Sequence, residues 1–349
     1  MIKIHNEFIG GNILVKEEIE SYFVLENELR DSTGWFYWAF CAEGAQGRDV
    51  TFKIEGGRIG YWGPAVSHDL KTWRWLNSCD GNSFTYKFSS DETKVYFAHS
   101  LLYHPDRFYS FCEKSGIRAV ELCKSKKDRS VPCLKIGEGE KHIVLTARHH
   151  ACESTGSYVL EGVLSELIKY PIQNTSIFCV PFVDFDGVVD GDQGKNRIPH
   201  DHNRDYTGSS IYPEVAEIIK YVDHCGCYLG FDFHSPWHKG GENDNIFIVR
   251  TRKDKQEKFD RFSDALEKEL SSTSIFYSKS NDHPPITGWN QEPNQNFGYT
   301  MNSREECELA FSLETPYFGT ENNKISTDML ICLGRSFARA IKNYIEVTK

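Results

Sequence analysis

The chain has 349 residues, a formal net charge of −10 and ordinary hydrophobic and aromatic fractions. That length allows one or two domains with a large buried core, and the acidic balance argues against nucleic acid as a partner. The N-terminus lacks an apolar core of signal-peptide length, and no later run approaches the roughly 18 apolar residues of a membrane span. We therefore expect a soluble, unexported, cytoplasmic protein without a membrane partner, whose 11 scattered cysteines are reduced thiols.

Residues 1–98 are expected to form a small all-β sandwich domain. Segments 21–25, 35–40 and 49–54 are rich in aromatic and β-branched residues, and glycine-containing turns separate the strand-like segments. The tryptophans of this part could stack on a ligand at a solvent-facing surface, but aromatic residues in a small sandwich more often fill its core. We favour the core for these five of the seven tryptophans: Trp35, Trp38, Trp62, Trp73 and Trp75.

From residue 99 to residue 349 predicted strands alternate with predicted helices. The apolar runs that predict strands are 142–147, 176–183, 228–234, 245–249 and 308–314. Apolar residues at helical spacing predict helices at about 154–170, 212–224, 254–271 and 326–346. This alternation predicts an α/β domain with a mixed, mostly parallel sheet flanked by helices on both faces. In such sheets the functional residues lie past the carboxyl ends of the strands.

A histidine and a carboxylate three residues apart stand where the first of these strands gives way to a helix. His150 and Glu153 can point both side chains at one ion there, and imidazole nitrogen with carboxylate oxygen suits zinc. A catalytic zinc site usually takes three protein ligands and leaves one position open. We predict His234, at the end of the strand 228–234, as the third ligand; the rival interpretation is a structural histidine.

Two further features favour a hydrolytic site. Glu314 follows a buried-looking strand, where desolvation raises the pKa of a carboxyl toward the range of a general base, although a capping or surface glutamate is the simpler alternative. The long polar loop 184–212 carries Arg197, Asn203 and Arg204. A guanidinium binds a carboxylate in bidentate fashion or stabilises an oxyanion, whereas either arginine taken alone is more simply a solvated surface charge.

Together these motifs resemble the zinc metallocarboxypeptidase family, most closely its cytosolic, Nna-type branch. The resemblance covers nearly the whole chain, and its main motifs lie at 147–153, 195–197, 201–204, 232–235 and 312–314. It implies one Zn²⁺ per chain, held by His150, Glu153 and His234, with Glu314 as general base and acid. The adjacent His149 and His202 are interpreted as non-ligands.

The resemblance also implies roles for the loop residues. Arg197 matches the arginine that polarises the scissile carbonyl and stabilises the oxyanion, and Asn203 with Arg204 matches the pair that binds the terminal carboxylate of the substrate. Asp201 matches the carboxylate that orients a histidine ligand. For the family's mobile tyrosine, Tyr299 is the nearest candidate and Trp289 is the alternative.

The chain departs from the family's pattern at two places. Ala151 and Cys152 stand where the zinc motif usually has Pro-Gly, and Asp184 with Phe185 stands where Asn-Pro usually precedes Asp-Gly. Both departures keep the ligand spacing, so we expect the site geometry to survive. The floor of the primary side-chain pocket is expected within residues 285–312, where arginine and glutamate side chains offer both signs of charge.

The predicted function is hydrolysis of the C-terminal peptide bond of peptides or proteins by a zinc-activated water and a glutamate general base. One alternative keeps the zinc and changes the substrate, giving an amidohydrolase or deacylase that acts on N-acyl amino acids. Another is a catalytically inactive binding protein of the same fold. The sequence carries no signal for an oligomeric state.

Overall fold

The computed structural model describes residues 1–347, and its N-terminal part consists of two facing β-sheets. One sheet has the strand order β1-β4-β9-β6-β7 and the other β2-β3-β5-β8. The strands are β1 (Lys3–His5), β2 (Leu14–Ile19), β3 (Tyr22–Glu26), β4 (Ala39–Glu43), β5 (Asp49–Glu55), β6 (Ala65–Ser67), β7 (Arg74–Trp75), β8 (Ser83–Lys87) and β9 (Lys94–Ala98).

The alternation of side chains along β4 explains how the first sheet packs. Phe40 and Ala42 lie in the core between the two sheets, together with Phe52 of β5. Ala39 and Cys41 point the other way, into a core that is shared with the C-terminal part of the chain. The predicted all-β arrangement is confirmed, whereas a domain boundary at residue 98 stays a prediction.

The tryptophans divide between the core and the junction of the two parts. Trp38, Trp73 and Trp75 are buried, as the core interpretation predicted. The predicted strand 35–40 is wrong over 35–38, because β4 begins only at Ala39. Trp35 and Phe36 contact Trp237 of the C-terminal part instead, and the amide of Tyr37 donates to Oε1 of Gln193 at 2.8 Å.

The C-terminal part holds one seven-stranded sheet of order β10-β11-β13-β12-β14-β16-β15. Its strands are β10 (Val120–Lys124), β11 (Ser130–Ile136), β12 (Lys141–Ala147), β13 (Thr175–Val180), β14 (Leu229–His234), β15 (Phe247–Val249) and β16 (Leu309–Glu314). The four central strands run parallel, and the outer strands pair antiparallel. The helices are α1 (Pro105–Lys114), α2 (Ser154–Lys169), α3 (Phe185–Asp190), α4 (Pro213–Cys225), α5 (Gln256–Leu270), α6 (Phe297–Asn302) and α7 (Thr327–Val347).

Helices cover both faces of this sheet. Along β12, Ile143 and Leu145 belong to the core that includes residues of α2, α5 and α7, whereas Val144 belongs to the core with α4 and α6. A strand buried on both faces reads as a continuous apolar run, which is why β12 and β14 could be predicted. The predicted fold class, a mixed sheet flanked by helices after an all-β part, is confirmed.

The strand register brings the predicted functional residues to one edge of the sheet. β14 and β16 are parallel neighbours in which His234 lies directly opposite Glu314. The polar loop predicted at 184–212 is not structureless, because α3 occupies its first residues. No helix within residues 1–347 is long and apolar enough to cross a membrane.

Candidate active site

The three predicted zinc ligands come together at the carboxyl ends of the strands. Nδ1 of His150 lies 2.8 Å from Oε1 of Glu153, and Nδ1 of His234 lies 2.7 Å from Oε2 of the same carboxylate. One ligand atom of each residue lies within 4.8 Å of the others, and all three side chains are buried. Two imidazoles and one carboxylate converging on one point form a donor set that suits zinc.

A second cluster of possible ligands overlaps the first. His149, Asp232 and His234 also place one ligand atom each within 4.8 Å of one another. However, Nδ1 of His149 lies 2.8 Å from Oδ1 of Asp232, and its Nε2 lies 2.8 Å from the hydroxyl of Tyr206. His150, Glu153 and His234 line one cavity, whereas His149 and Asp232 do not, and this favours the cluster with His150.

Each histidine of the first cluster has a carboxylate behind it. Oδ2 of Asp232 lies 2.5 Å from Nε2 of His234, and Oδ1 of Asp201 lies 3.5 Å from Nε2 of His150. The contact of Asp232 is a hydrogen bond that can hold the ring of His234 with its other nitrogen toward a metal, whereas Nε2 of His150 has no hydrogen-bond partner. Asp201 lies beside His150, and its role in orienting that ring stays a prediction.

A buried arginine shapes the loop between His150 and Glu153. Arg148 has a left-handed backbone, with φ of 62°, and its Nε donates to the carbonyl of Ala151 at 2.7 Å. A second guanidinium nitrogen donates to the carbonyl of Tyr103 at 3.3 Å. These bonds fix the backbone at the position where the family usually has Pro-Gly.

The thiol of Cys152 faces away from the ligand cluster toward a phenol. Its Sγ lies 3.6 Å from the hydroxyl of Tyr317. Burial raises the pKa of the Cys152 thiol to about 12, so the thiol stays protonated at neutral pH. A neutral thiol is a poor zinc ligand, and Cys152 belongs to neither cluster of possible ligands at this site.

Glu314 is a buried carboxylate beside the ligands. Its side chain is 9% exposed, and Oε2 has no hydrogen-bond partner. Burial raises the pKa of Glu314 to about 7. A carboxyl with that pKa can accept and return a proton near neutral pH.

The cluster and Glu314 open into a cavity of about 490 Å³. Asn203 and Arg204 line it, and the turn that carries them is capped by Asp201, which accepts from the amide of Asn203 at 3.0 Å. An amide and a guanidinium side by side can hold a carboxylate. Other residues of the wall are Trp35, Lys195, Asn196, Ser235, Pro236, Trp237, Glu242, Asn243, Phe247, Val249, Trp289, Asn296 and Ser312.

Arg197 lies behind this cavity rather than in its wall. Its guanidinium is buried and pairs with Asp184 at 2.6 Å, with Asp192 at 3.2 Å and with Asp31 of the N-terminal part. Asp184 stands where the family usually has asparagine. This departure from the family's pattern therefore adds a carboxylate that pairs with Arg197.

The remaining predicted residues also differ in whether they line the cavity. Trp289 lines the cavity and stacks on His283 with 4.5 Å between ring centroids, whereas Tyr299 lies in α6 outside the cavity wall. Arg304 pairs with Asp223 at 2.5 Å and does not line the cavity either. Of the segment 285–312 that was expected to supply the pocket floor, the cavity wall includes Trp289, Asn296 and Ser312.

Known proteins were compared with the chain at the level of sequence and of structure. No protein-family model matches it. An uncharacterized protein of Zymomonas mobilis is 27% identical over 259 residues, which are 67% of each chain. Cytosolic carboxypeptidase 2 of Xenopus tropicalis is 30% identical over 210 residues, or 52% of this chain but only 22% of that protein. The crystal structure of a metallo-carboxypeptidase from Burkholderia cenocepacia matches over 100% of both chains, with a TM-score of 0.82 and 18% identity.

The chain has the metallo-carboxypeptidase fold. The resemblance predicted from the motifs is thereby confirmed, and the structural match extends over the N-terminal β-sheets as well.

Sequence reasoning missed four residues of the site in this metallo-carboxypeptidase fold. Asp232 carried a signal, since it is a charged residue inside an otherwise apolar strand, but it was given no role. Trp35 and Trp237 meet edge-to-face at 4.8 Å in the cavity wall, although they are far apart in the sequence. Lys195 was part of the motif 195–197 but was given no role, and only the folded chain shows that it lines the cavity.

Proposed function

We propose that the chain is a zinc metallocarboxypeptidase that hydrolyses the C-terminal peptide bond of peptides or proteins. The observation that carries this proposal is one cavity in which Glu314, a buried carboxylate without a hydrogen-bond partner, adjoins the cluster of His150, Glu153 and His234. The metallo-carboxypeptidase fold and the related carboxypeptidase of Xenopus tropicalis support the same reaction class.

The donor set of the cluster fits a zinc ion. His150 and His234 would each offer Nδ1 and Glu153 its carboxylate, while Asp232 holds the ring of His234 from behind and Asp201 lies beside the ring of His150. A zinc ion at this position supplies Lewis-acid activation of water and of the scissile carbonyl. We propose one such ion per chain.

Glu314 would move the protons of the reaction. In its ionised form the carboxylate takes a proton from the attacking water, and it then hands that proton to the nitrogen of the leaving amino acid. Burial raises the pKa of Glu314 to about 7, so the group can serve as base and acid in one turnover near neutral pH.

Asn203 and Arg204 would make the enzyme an exopeptidase. Both line the cavity, and both can donate hydrogen bonds to the two oxygens of a substrate's terminal carboxylate. The polarisation of the scissile carbonyl by Arg197 stays a prediction. Tyr299 as a substrate-binding residue and the cytoplasmic location stay predictions.

The test replaces the general base and leaves the ligands intact. Glu314→Gln should lower kcat by at least about 10²-fold while the protein keeps one zinc per chain, measured by peptide hydrolysis and by metal analysis. Glu321→Gln, a change at an exposed glutamate, is the matched control and should keep full activity. A Glu314→Gln variant with the wild-type rate would refute the assignment.

The choice of substrate separates the proposal from the alternative zinc hydrolases. A free C-terminal carboxylate should be required, so a C-terminally amidated peptide should be hydrolysed far more slowly than the free acid. Equal rates on both would contradict the role of Asn203 and Arg204 and favour an amidohydrolase. Protein purified without chelator that contains no zinc would favour a binding protein without catalysis.

A further inference from the structure

The cavity contains a cation that the proposed mechanism has not used. We propose that the ammonium of Lys195, rather than the guanidinium of Arg197, binds the scissile carbonyl oxygen and stabilises the negative charge that develops on it. This inference rests on the proposed carboxypeptidase function and adds a catalytic residue to it.

The surroundings of Arg197 argue against its use on the substrate. One guanidinium nitrogen pairs with Asp184 and Asp192, and the other terminal nitrogen pairs with Asp31. The third nitrogen, Nε, is buried without a partner, and no atom of Arg197 contributes to the cavity wall. Moving this guanidinium to a substrate would leave the buried carboxylate of Asp184 without its cation, which is strongly destabilising.

Lys195, unlike Arg197, is part of the cavity wall. It lines the same cavity as His150, Glu153 and Glu314, and it is only half-buried. Within residues 1–347 no carboxylate oxygen lies within 4.0 Å of its ammonium, so the charge is not committed to an ion pair.

The cavity wall includes one other permanent cation, Arg204. Its position beside Asn203 suits the terminal carboxylate of the substrate, so it is not free to bind the scissile carbonyl, whose carbon lies about three bonds from the carboxylate carbon. Lys195 is left as the side-chain cation for that oxygen. A donor aimed at a developing oxyanion in a partly desolvated cavity typically contributes about 10²- to 10³-fold in kcat.

The N-terminal part holds Lys195 in place. The Lys195 nitrogen lies 5.7 Å from the centre of the Trp35 ring, which in turn packs edge-to-face on Trp237. Backbone hydrogen bonds tie the same loop to the N-terminal part: the amide of Thr33 donates to the carbonyl of Asn196 at 3.1 Å, and the amide of Ile198 donates to the carbonyl of Asp31 at 3.3 Å. A charge anchored in this way needs little reorganisation during the reaction.

The experiment compares Lys195→Met with Lys195→Arg and with Lys239→Met. Lys239 lies over the ring of Tyr61 outside the cavity wall, so its removal changes the net charge by the same amount. We expect Lys195→Met to lower kcat about 10²- to 10³-fold with KM changed less than about threefold. Lys195→Arg should recover most of that loss, and Lys239→Met should behave as wild type.

A binding measurement supplies a readout that does not depend on turnover. A phosphonate peptide that mimics the tetrahedral transition state should bind Lys195→Met more weakly by the same factor as kcat/KM falls. A free C-terminal amino acid, which lacks the developing charge, should bind both proteins equally. The zinc content and the melting temperature of the variant should match those of wild type.

Three results would overturn the role of Lys195. The first is wild-type kcat and phosphonate affinity in Lys195→Met, and the second is an equal loss in Lys239→Met. The third is a folded, zinc-containing Arg197→Met protein that loses phosphonate affinity while Lys195→Met keeps it. If wild-type protein with zinc bound releases no C-terminal residue from any peptide, the proposed function fails and the role of Lys195 fails with it. If wild type is active and one of the three results above is found, only the role of Lys195 fails.

Discussion

Asp232 and His234 stand two residues apart on β14, and Oδ2 of the aspartate lies 2.5 Å from Nε2 of the histidine. Alternate residues of a strand point to the same face, so this spacing alone brings the two side chains together. The contact turns Nδ1 of His234 toward Glu153, 2.7 Å away. The hydroxyl of Thr146 donates to the other oxygen of Asp232 at 2.9 Å and holds the carboxylate in turn.

Asp232→Asn should therefore weaken zinc binding about 10- to 100-fold, because the amide can no longer hold and polarise the ring as an anion does. Competition with a chromogenic chelator measures the affinity directly. Thr146→Val, which removes a partner of the same carboxylate without touching His234, is the matched control and should cost less. An unchanged zinc affinity in Asp232→Asn would show that the contact with His234 is not important for the metal.

The parts of the site that could be predicted carry local signals in the chain. His150 and Glu153 stand three residues apart at a junction between strand and helix, and His234 and Glu314 each end a largely apolar segment. Each signal needs only the neighbouring residues to be recognised. The parallel register of β14 and β16 then brings the last two together without further information.

The rest of the site depends on how distant segments dock, which no local pattern encodes. Trp35 and Trp237 form one wall of the cavity although about 200 residues separate them. The docking of the N-terminal part also explains why the predicted strand fails at Trp35 and Phe36, since both rings pack against Trp237 instead of extending a strand. α3 was missed because its six residues are too few to show a helical period.

The unusual cysteine of the ligand loop yields a second prediction. Cys152→Ala should leave zinc at one per chain and change its affinity less than about threefold, because the thiol contacts Tyr317 and stays protonated. His150→Ala, assayed by the same metal analysis, is the contrasting variant and should lose the ion. Loss of zinc from Cys152→Ala would instead make the thiol a ligand.

The crossing of α2 and α7 yields a prediction about stability. A Cβ atom added to Gly162 would lie 2.2 Å from the carbonyl oxygen of Ile331 and 2.9 Å from Cα of Gly334, so the helix backbones are in contact. Gly162→Ala should lower the free energy of unfolding by about 1–3 kcal/mol, although alanine normally stabilises a helix by about 1 kcal/mol relative to glycine. Urea unfolding measures the change. Gly34→Ala, where an added Cβ meets no atom within 4 Å, should stay within about 0.5 kcal/mol of wild type.

Glu214, in the first turn of α4, makes the stability of the fold depend on pH. The side chain is 2% exposed, its Oε2 has no hydrogen-bond partner, and the nearest basic group is Nε2 of His202 at 3.9 Å. Burial lowers the pKa of His202 well below its ordinary value, so that ring is neutral and offers no positive charge. Burial raises the pKa of Glu214 from 4.5 to about 7.

At a pH between 4.5 and about 7, the folded protein binds a proton at Glu214 that the unfolded chain does not bind. This contribution to the free energy of unfolding is complete below pH 4.5 and is lost as the pH rises through about 7. It amounts to about 3 kcal/mol for a shift of this size. Glu214→Gln removes the titration, so the stability of the variant relative to wild type should rise by about that amount between pH 4 and pH 8.

Urea unfolding of both proteins across this range measures the difference, and the titration of Glu314, common to both, cancels from it. Glu321→Gln, at an exposed site, should show the same pH dependence as wild type. If Glu214→Gln and wild type lose stability in parallel as the pH rises, then Glu214 is already ionised in the folded protein and must have a partner or water that compensates its charge.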